Sequence, residues 1–345
     1  GLKTSEHIGM IAIDPNNSNR VFVAAYGPLW SAGGERGIYL TEDGGATWDQ
    51  VLEVSENTGF NEIHFDPNNS EVLYAAAHQR RRHVWTYVSG GPESGIYKST
   101  DGGKTWKELK KGLPSDKGRI ALGLSKLNPN LVYAMVEGHG FYRSDDRGAS
   151  FNKLDNYNTS GNYYVELVVD PTDANTVYSM DTYMHVSKDG GKSWNRVPEA
   201  NKHVDNHCLW INPNDPTNMI AGCDGGLYET WDGASNWHYK PNLPVTQFYR
   251  VAVDNAEPFY NVYGGTQDNF SLGGPSQTIN SRGIVNSDWF VTNTGDGFES
   301  QIDPKDPNIV YAQAQYGWLV RFDKVSGESV GIKPSPDKDE EAYRW

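Results

Sequence analysis

The sequence predicts an all-β protein, a β-propeller built of about seven four-stranded blades, and three observations lead to that reading. A strand, an Asp/Asn-Pro turn and a second strand recur seven times, a turn of the form Asp-x-Gly-x-Ser/Thr-aromatic recurs four to five times, and turn-forming and bulky residues abound. The 345 residues include 37 glycines, 18 prolines, 11 tryptophans, 20 tyrosines and 11 phenylalanines. Such a composition suits many short strands joined by tight turns around a substantial core.

The first element reads IAIDPNNSNRVFVAA (11–25), IHFDPNNSEVLYAAA (63–77), LSKLNPNLVYAM (124–135), LVVDPTDANTVYSM (167–180), LWINPNDPTNMIAG (209–222), VAVDNAEPFYNVYGG (251–265) and SQIDPKDPNIVYAQA (300–314). Its prolines, Pro15, Pro67, Pro129, Pro171, Pro213, Pro258 and Pro304, recur with a period in the mid-forties, lengthened by insertions in the first two units. Proline presets φ in these turns while Asp or Asn can bond backbone amides.

The second element appears as TEDGGATW (41–48), STDGGKTW (99–106), SDDRGASF (144–151) and SKDGGKSW (187–194), with a degraded copy TWDGASNW (230–237). In the first unit the four strands fall near 11–13, 21–24, 37–40 and 47–51. The blades are expected at about 7–54, 58–110, 118–154, 163–198, 205–240, 246–290 and 291–335. They would form one ring of seven or parts of two tandem seven-bladed propellers.

The Asp-x-Gly-x-Thr-Trp turns resemble the Asp-box, or bacterial-neuraminidase repeat, of sialidases, xyloglucanases and sortilin-type receptors. The wider set SEHIGMIAIDP, GERGIYLTEDGGATW, SGGPESGIYKSTDGGKTW, DNHCLWINPNDPTNMIAGCDGGLYETWDG, VTQFYRVAVDN, YGGTQDNF and SDWFVTNTGDGFES resembles a family of secreted bacterial sortilin-N-terminal-domain or BNR-repeat glycosyl-hydrolase-like proteins. Members of that family are longer, so the resemblance implies an internal stretch of a larger extracellular or cell-envelope protein, broken off at EEAYRW. The opening Gly1-Leu2-Lys3-Thr4, with neither initiator Met nor targeting segment, fits a processed or partial chain.

A formal net charge of -14 disfavours nucleic acid and anionic lipid as partners, and no run of 18 apolar residues is present to span a membrane. The two cysteines, Cys208 and Cys223, are too few for a disulfide scaffold or a thiolate zinc site. On one hairpin they would lie about opposite each other, as a cross-strand disulfide or as two buried thiols.

The Asp-box residues read as structural: Asp43, Asp101, Asp146, Asp189 and Asp232 accept amide bonds within their own turns, and Trp48, Trp106, Phe151, Trp194 and Trp237 pack between blades. The resemblance also implies that these turns lie opposite the usual ligand face. Function is expected instead on the loops between second and third strands and before the first strands.

Two of these loops are long: 25–37, with Trp30, Glu35 and Arg36, and 77–95, with His78, Gln79, Arg80, Arg81, Arg82, Trp85 and Tyr87. Trp30, Arg36, Arg80, Arg81, Trp85, Tyr87, His207 and Gln267 are the ligand-binding candidates, since aromatic faces beside hydrogen-bonding groups suit sugars and peptides alike. Other polar residues expected nearby are His7, Asn61, Arg119, Tyr163, Tyr164, Asn269 and Glu299.

No catalytic residue stands out; Asp224, Asp268 and Asp296, in CDGG, TQDN and TGDG, are the candidates for a glycosidase carboxylate pair. His203, Asp205 and His207 could be read as metal ligands, but no matching trio accompanies them, so neither metal nor cofactor is expected. The first functional expectation is a scaffold binding a peptide, protein or glycan, similar to the sortilin N-terminal domain and part of a larger envelope assembly. The second is a glycoside hydrolase similar to xyloglucanases. A sialidase is disfavoured by the lack of an Arg-Ile-Pro motif near the start.

Overall fold

The computed structural model describes residues 1–243, 245–338 and 341, so the terminal EEAYRW stretch lies, Glu341 aside, outside the described residues. The fold is all-β, of the β-propeller class, with seven antiparallel sheets, and the chain divides into two compact units, Gly1–Lys240 with five sheets and Pro241–Trp345 with two. Each sheet is a meander of four strands in sequence order.

The first is Ile8–Asp14, Asn17–Ala25, Gly37–Thr41 and Asp49–Leu52; the second is Thr58–Asp66, Asn69–His83, Gly95–Ser99 and Lys107–Leu109. The third is Ile120–Leu124, Val132–Val136, Gly140–Ser144 and Asn152–Asp155. The fourth is Glu166–Val169, Val177–Met180, His185–Ser187 and Asn195–Arg196, preceded by a single helical turn, Gly161–Tyr164. The fifth is Asn206–Ile211, Met219–Cys223, Gly226–Thr230 and His238–Tyr239.

In the second unit, the sixth sheet is Arg250–Val253, Asn261–Gly265, Ser271–Pro275 and Phe290–Asn293. The seventh is Gly297–Ile302, Ile309–Ala314, Trp318–Asp323 and Ser329–Gly331. Phe290–Asn293 thus runs past the expected 290/291 boundary. The second sheet also carries a fifth strand, Thr86–Ser89, which pairs with the prolonged end of Asn69–His83. No helix among the described residues is long and apolar enough to cross a membrane.

The five Asp-box turns of the first unit share one hydrogen-bond pattern. Asp101 Oδ1 accepts from Ser99 Oγ (2.8 Å) and Thr105 N (2.9 Å), and Oδ2 accepts from Thr105 Oγ1. Asp43, Asp146 and Asp189 repeat these contacts with Thr41/Thr47, Ser144/Ser150 and Ser187/Ser193. The degraded copy keeps them too: Thr230 Oγ1 and Asn236 N bond Asp232 Oδ1, and Asn236 Nδ2 stands in for the hydroxyl on Oδ2 at 2.8 Å. The side-chain and amide donors at the position four residues on hold Asp101, Asp146, Asp189 and Asp232 down to about 2.

The aromatics of the second to fifth boxes fill the seams to the preceding sheets, whereas Trp48 of the first packs on Val23, Ala25 and Tyr39 of its own sheet. Trp106 joins the cluster of Phe22, Ile38, Phe60 and Leu73, Phe151 that of Tyr74, Ile96, Ile120 and Tyr142, and Trp194 that of Tyr133, Phe141 and Leu167. Trp237 packs with Tyr178, Met180 and Met219. Gly191, at φ 95°, has no room for a side chain, because a Cβ there would fall 2.0 Å from the Phe141 ring.

The cysteines do not meet as expected. A bulge at His207 shifts the register, so Cys223 faces Asn206 and Cys208 faces Gly222. Both thiols are free, Cys208 is exposed and Cys223 is half-buried, which corrects both the disulfide and the buried-thiol expectations.

Candidate functional site

The bulge at His207 is one of four with the same form. In the first strands of the first, second, fifth and seventh sheets, the register slips by one residue at Gly9, at Asn61, at His207 and within 298–299. A bulge re-aims the side chains around it. In the second sheet its result is plain, because adjacent residues both reach the third sheet: Asn61 Nδ2 donates to Ile120 O at 2.7 Å, and Glu62 Oε2 accepts from Leu122 N at 2.8 Å. Asn61 Oδ1 is buried and meets no donor among the described residues.

Glu62 belongs to a polar cluster on the first strands of the second to fourth sheets. Its side chain is 4% exposed and also receives His64 Nε2 at 3.0 Å. Glu166 opens the first strand of the fourth sheet and lies 3.7 Å from Arg119 Nη2, with 37% of its side chain exposed. Desolvation and then the charge of Glu62 push the Glu166 carboxyl up to about 7, against the opposing pull of Arg119 and His64. Near neutrality the cluster therefore holds a carboxyl ready to give or take a proton beside a second, hydrogen-bonded carboxylate. Neither glutamate was among the sequence candidates; the signal available was a glutamate immediately before the apolar stretch of a first strand, Glu62 before IHF and Glu166 before LVV.

A second cluster joins the helical turn and the fifth sheet. Tyr164 OH donates to Asp205 Oδ1 at 2.7 Å, His207 Nε2 meets Asp224 Oδ1 at 2.7 Å, and the Tyr164 and His207 rings are 5.1 Å apart. Burial and the Asp205 contact raise the Tyr164 hydroxyl well above its ordinary range. His203 turns away, its Nδ1 on the Val204 carbonyl, so His203, Asp205 and His207 do not converge on one point. Tyr163 beside them is 67% exposed.

The two long loops are docked on each other. Arg82 N donates to Leu29 O at 2.9 Å and Arg80 lies over the Tyr26 ring, while each loop is also bonded to the 56–57 segment between the sheets, Gly33 N to Glu56 O at 2.8 Å and Arg81 Nη2 to Asn57 Oδ1 at 2.8 Å. Trp30 is 59% and Trp85 81% exposed, Trp85 stacks on His83, and Arg82 lies over Tyr87. Arg36 does not face outward as a binding residue would. Its guanidinium, buried, donates to the carbonyls of Tyr26, Pro28, Ser31 and Gly33 and braces its own loop. Beneath it, His78 sits between Tyr26 OH (3.3 Å) and Ser89 Oγ (3.4 Å), and burial with the nearby Arg119 and Arg80 charges lowers it to about 3, so the imidazole is neutral.

In the second unit Gln267, Asp268, Asn269 and Asp296 come together as loop-formers. Asp296 Oδ1 accepts Asp268 N at 2.9 Å, Asn269 Nδ2 donates to Gln267 O, and Gln267 Oε1 accepts Tyr249 OH. Glu299, in the bulge of the seventh sheet, accepts from Gln301 Nε2.

Residues 97–108 match the BNR/Asp-box repeat. Among characterised proteins, the chain is 23% identical over 240 residues to a xyloglucanase of Hypocrea jecorina, covering 56% of this chain and 27% of that protein. It is 28% identical over 158 residues to an oligoxyloglucan-reducing end-specific xyloglucanase of Emericella nidulans, covering 42% of this chain and 19% of that one. The chain thus spans about a quarter of the length of the curated relatives it matches. The crystal structure of the GH74 xyloglucanase from Xanthomonas campestris superposes over 95% of this chain and 54% of its own, with a TM-score of 0.52 and 16% identity, a likeness of fold.

Proposed function

We propose that this chain is part of an extracellular or cell-envelope protein that engages polysaccharide and hydrolyses glycosidic bonds, with Glu166 as the proton donor and Glu62 as its partner carboxylate. The observation that carries this reading is the Glu166 carboxyl pushed up to about 7 by desolvation and by the charge of Glu62, on the first strands of the fourth and second sheets with the third between them. A carboxyl protonated near neutrality can protonate a leaving oxygen, and a second carboxylate can stabilise the positive charge that develops or activate water. The similarity to two xyloglucanases supports a β-glucan-type substrate. Tyr163, Tyr164 and the His207–Asp224 pair offer an aromatic face and hydrogen-bonding groups of the kind that hold a sugar ring.

The test is release of reducing ends from xyloglucan and other β-glucans by the full-length protein. Glu166→Gln should lower kcat by about a hundredfold or more and remove the alkaline limb of the pH–rate profile near about 7. Turnover by Glu166→Gln and Glu62→Gln at the unaltered rate would remove this assignment. Binding without turnover would instead favour the scaffold role similar to sortilin-type propellers.

A further inference from the structure

The long loops of the first two sheets gather Arg36, Arg80, Arg81 and Arg82 in a chain whose net charge is -14. Among the described residues none of these four guanidiniums forms an ion pair with a carboxylate; other arginines, such as Arg196 and Arg250, also lack one but stand singly in the sequence, whereas Arg80, Arg81 and Arg82 are consecutive. The cluster is felt within the protein, since burial and then Arg81 and Arg80 lower Arg36, with the exposed Glu6 opposing them. Cations crowded together without counter-charges cost stability, so their retention calls for a ligand that neutralises them.

The arginines are also held in place. Arg80 lies 3.9 Å from the centre of the Tyr26 ring and Arg82 4.9 Å from that of Tyr87, while Arg81 Nη2 is fixed on Asn57 and its Nε is buried without an acceptor among the described residues. Stacking leaves the edge of a guanidinium free to take a carboxylate or sulfate in the plane of its N–H groups. Trp30 and Trp85 stand exposed on the same docked loops and offer flat apolar faces of the kind that pack on the C–H face of a sugar.

From these contacts we infer that the docked loops form a subsite for an acidic polysaccharide, in which Arg80 and Arg82, on one face of their strand, receive the carboxylate or sulfate groups and Trp30 and Trp85 the sugar rings. This rests on the glycan reading above and extends it to a charged substrate class. Nonspecific adsorption of a polyanion is opposed by the overall negative charge, so retention would report the local cluster.

The experiment is affinity electrophoresis and titration calorimetry of the full-length protein against polygalacturonate, dextran sulfate, neutral dextran and xyloglucan. Polygalacturonate or dextran sulfate should bind tighter than dextran, weaken with added salt, and lose about tenfold or more in affinity in the Arg80→Gln/Arg82→Gln variant. Whichever of the two binds identifies the acidic group. Arg321→Gln, an equal charge change in the second unit, should leave binding unchanged, and matched melting curves establish that the variants are folded. Xyloglucan bound or cleaved equally by wild type and variant, with neither polyanion retained, overturns this inference and leaves the glycan reading standing. Failure of all four polymers overturns both.

Discussion

Residues Gly1–Lys240 and Pro241–Trp345 use the same four-stranded meander but hold adjacent sheets together by different means. In the first unit, four seams between sheets are apolar clusters, each closed by the aromatic of an Asp-box. In the second, among the described residues, the seam between its sheets combines an aromatic contact, Phe290 on Phe322, with a buried carboxylate. Asp254 accepts Asn261 N and Nδ2 at 2.7 Å and Tyr263 OH at 3.0 Å, and pairs at 3.3 Å with Lys324 of the seventh sheet. Neither sheet of that unit closes its last turn with an Asp-box; in the seventh, Asp323 Oδ1 instead caps the amides of Val325 and Ser326. A repeat with a strong local turn can leave its seams to apolar packing, whereas a repeat without one draws its specificity from a satisfied polar network.

The largest expected effects come from removing one seam in each unit. Phe141→Ala should cost about 3–5 kcal/mol through the cavity it leaves, and Asp254→Ala about 3–5 kcal/mol because Lys324 and the Tyr263 hydroxyl lose a buried partner. Hydrogen exchange followed residue by residue should show each loss confined to its own unit; protection lost throughout the chain from either variant would erase the contrast.

Next comes Gly191→Ala, which combines a left-handed φ with a Cβ too close to Phe141, at an expected cost of about 2–3 kcal/mol in a denaturant melt. The fifth box already carries Ala234 at φ 71° in the equivalent place, so tolerance of Ala at 191 would mean that the seam, rather than the turn, sets the requirement.

The smallest effect is one of pH. The box aspartates have folded pKa values depressed to about 2, so their bonds contribute fully above about 4 and are lost as pH falls toward 2. Asp254 acts in the same direction: burial pushes it up, but the bonds from Asn261, Ala256 and Tyr263 outweigh burial and hold it low. Glu166 has the opposite sign. Its raised value means the folded state binds the extra proton, so stability should decline slightly as pH rises from about 4.5 to about 7, and Glu166→Gln should flatten that slope in melting curves. A slope unchanged in Glu166→Gln would place its source elsewhere.

Much of the fold was legible because its signals are local. The Asp-box pairs an aspartate with a donor four residues on, and even the degraded copy kept its pattern because Asn236 offers the same two donors as a threonine. The functional residues were less legible. Arg36 read as an exposed binder because its loop is polar, yet its partners are four carbonyls that only the folded loop brings to it. The cysteine pairing failed because a single inserted residue at His207 shifts which residues face each other, and a residue count across a hairpin cannot register a bulge.

By itself the sequence determined the strand order, the number of sheets and the turns that close them, since each depends on residues within one repeat. Only the tertiary structure decided that Glu166 meets Arg119 and feels the charge of Glu62, which arginines lack a carboxylate, and that Asp254 is buried. Those facts depend on residues some 40 to 100 positions apart, brought together by bulges and loop docking rather than by any spacing the chain displays.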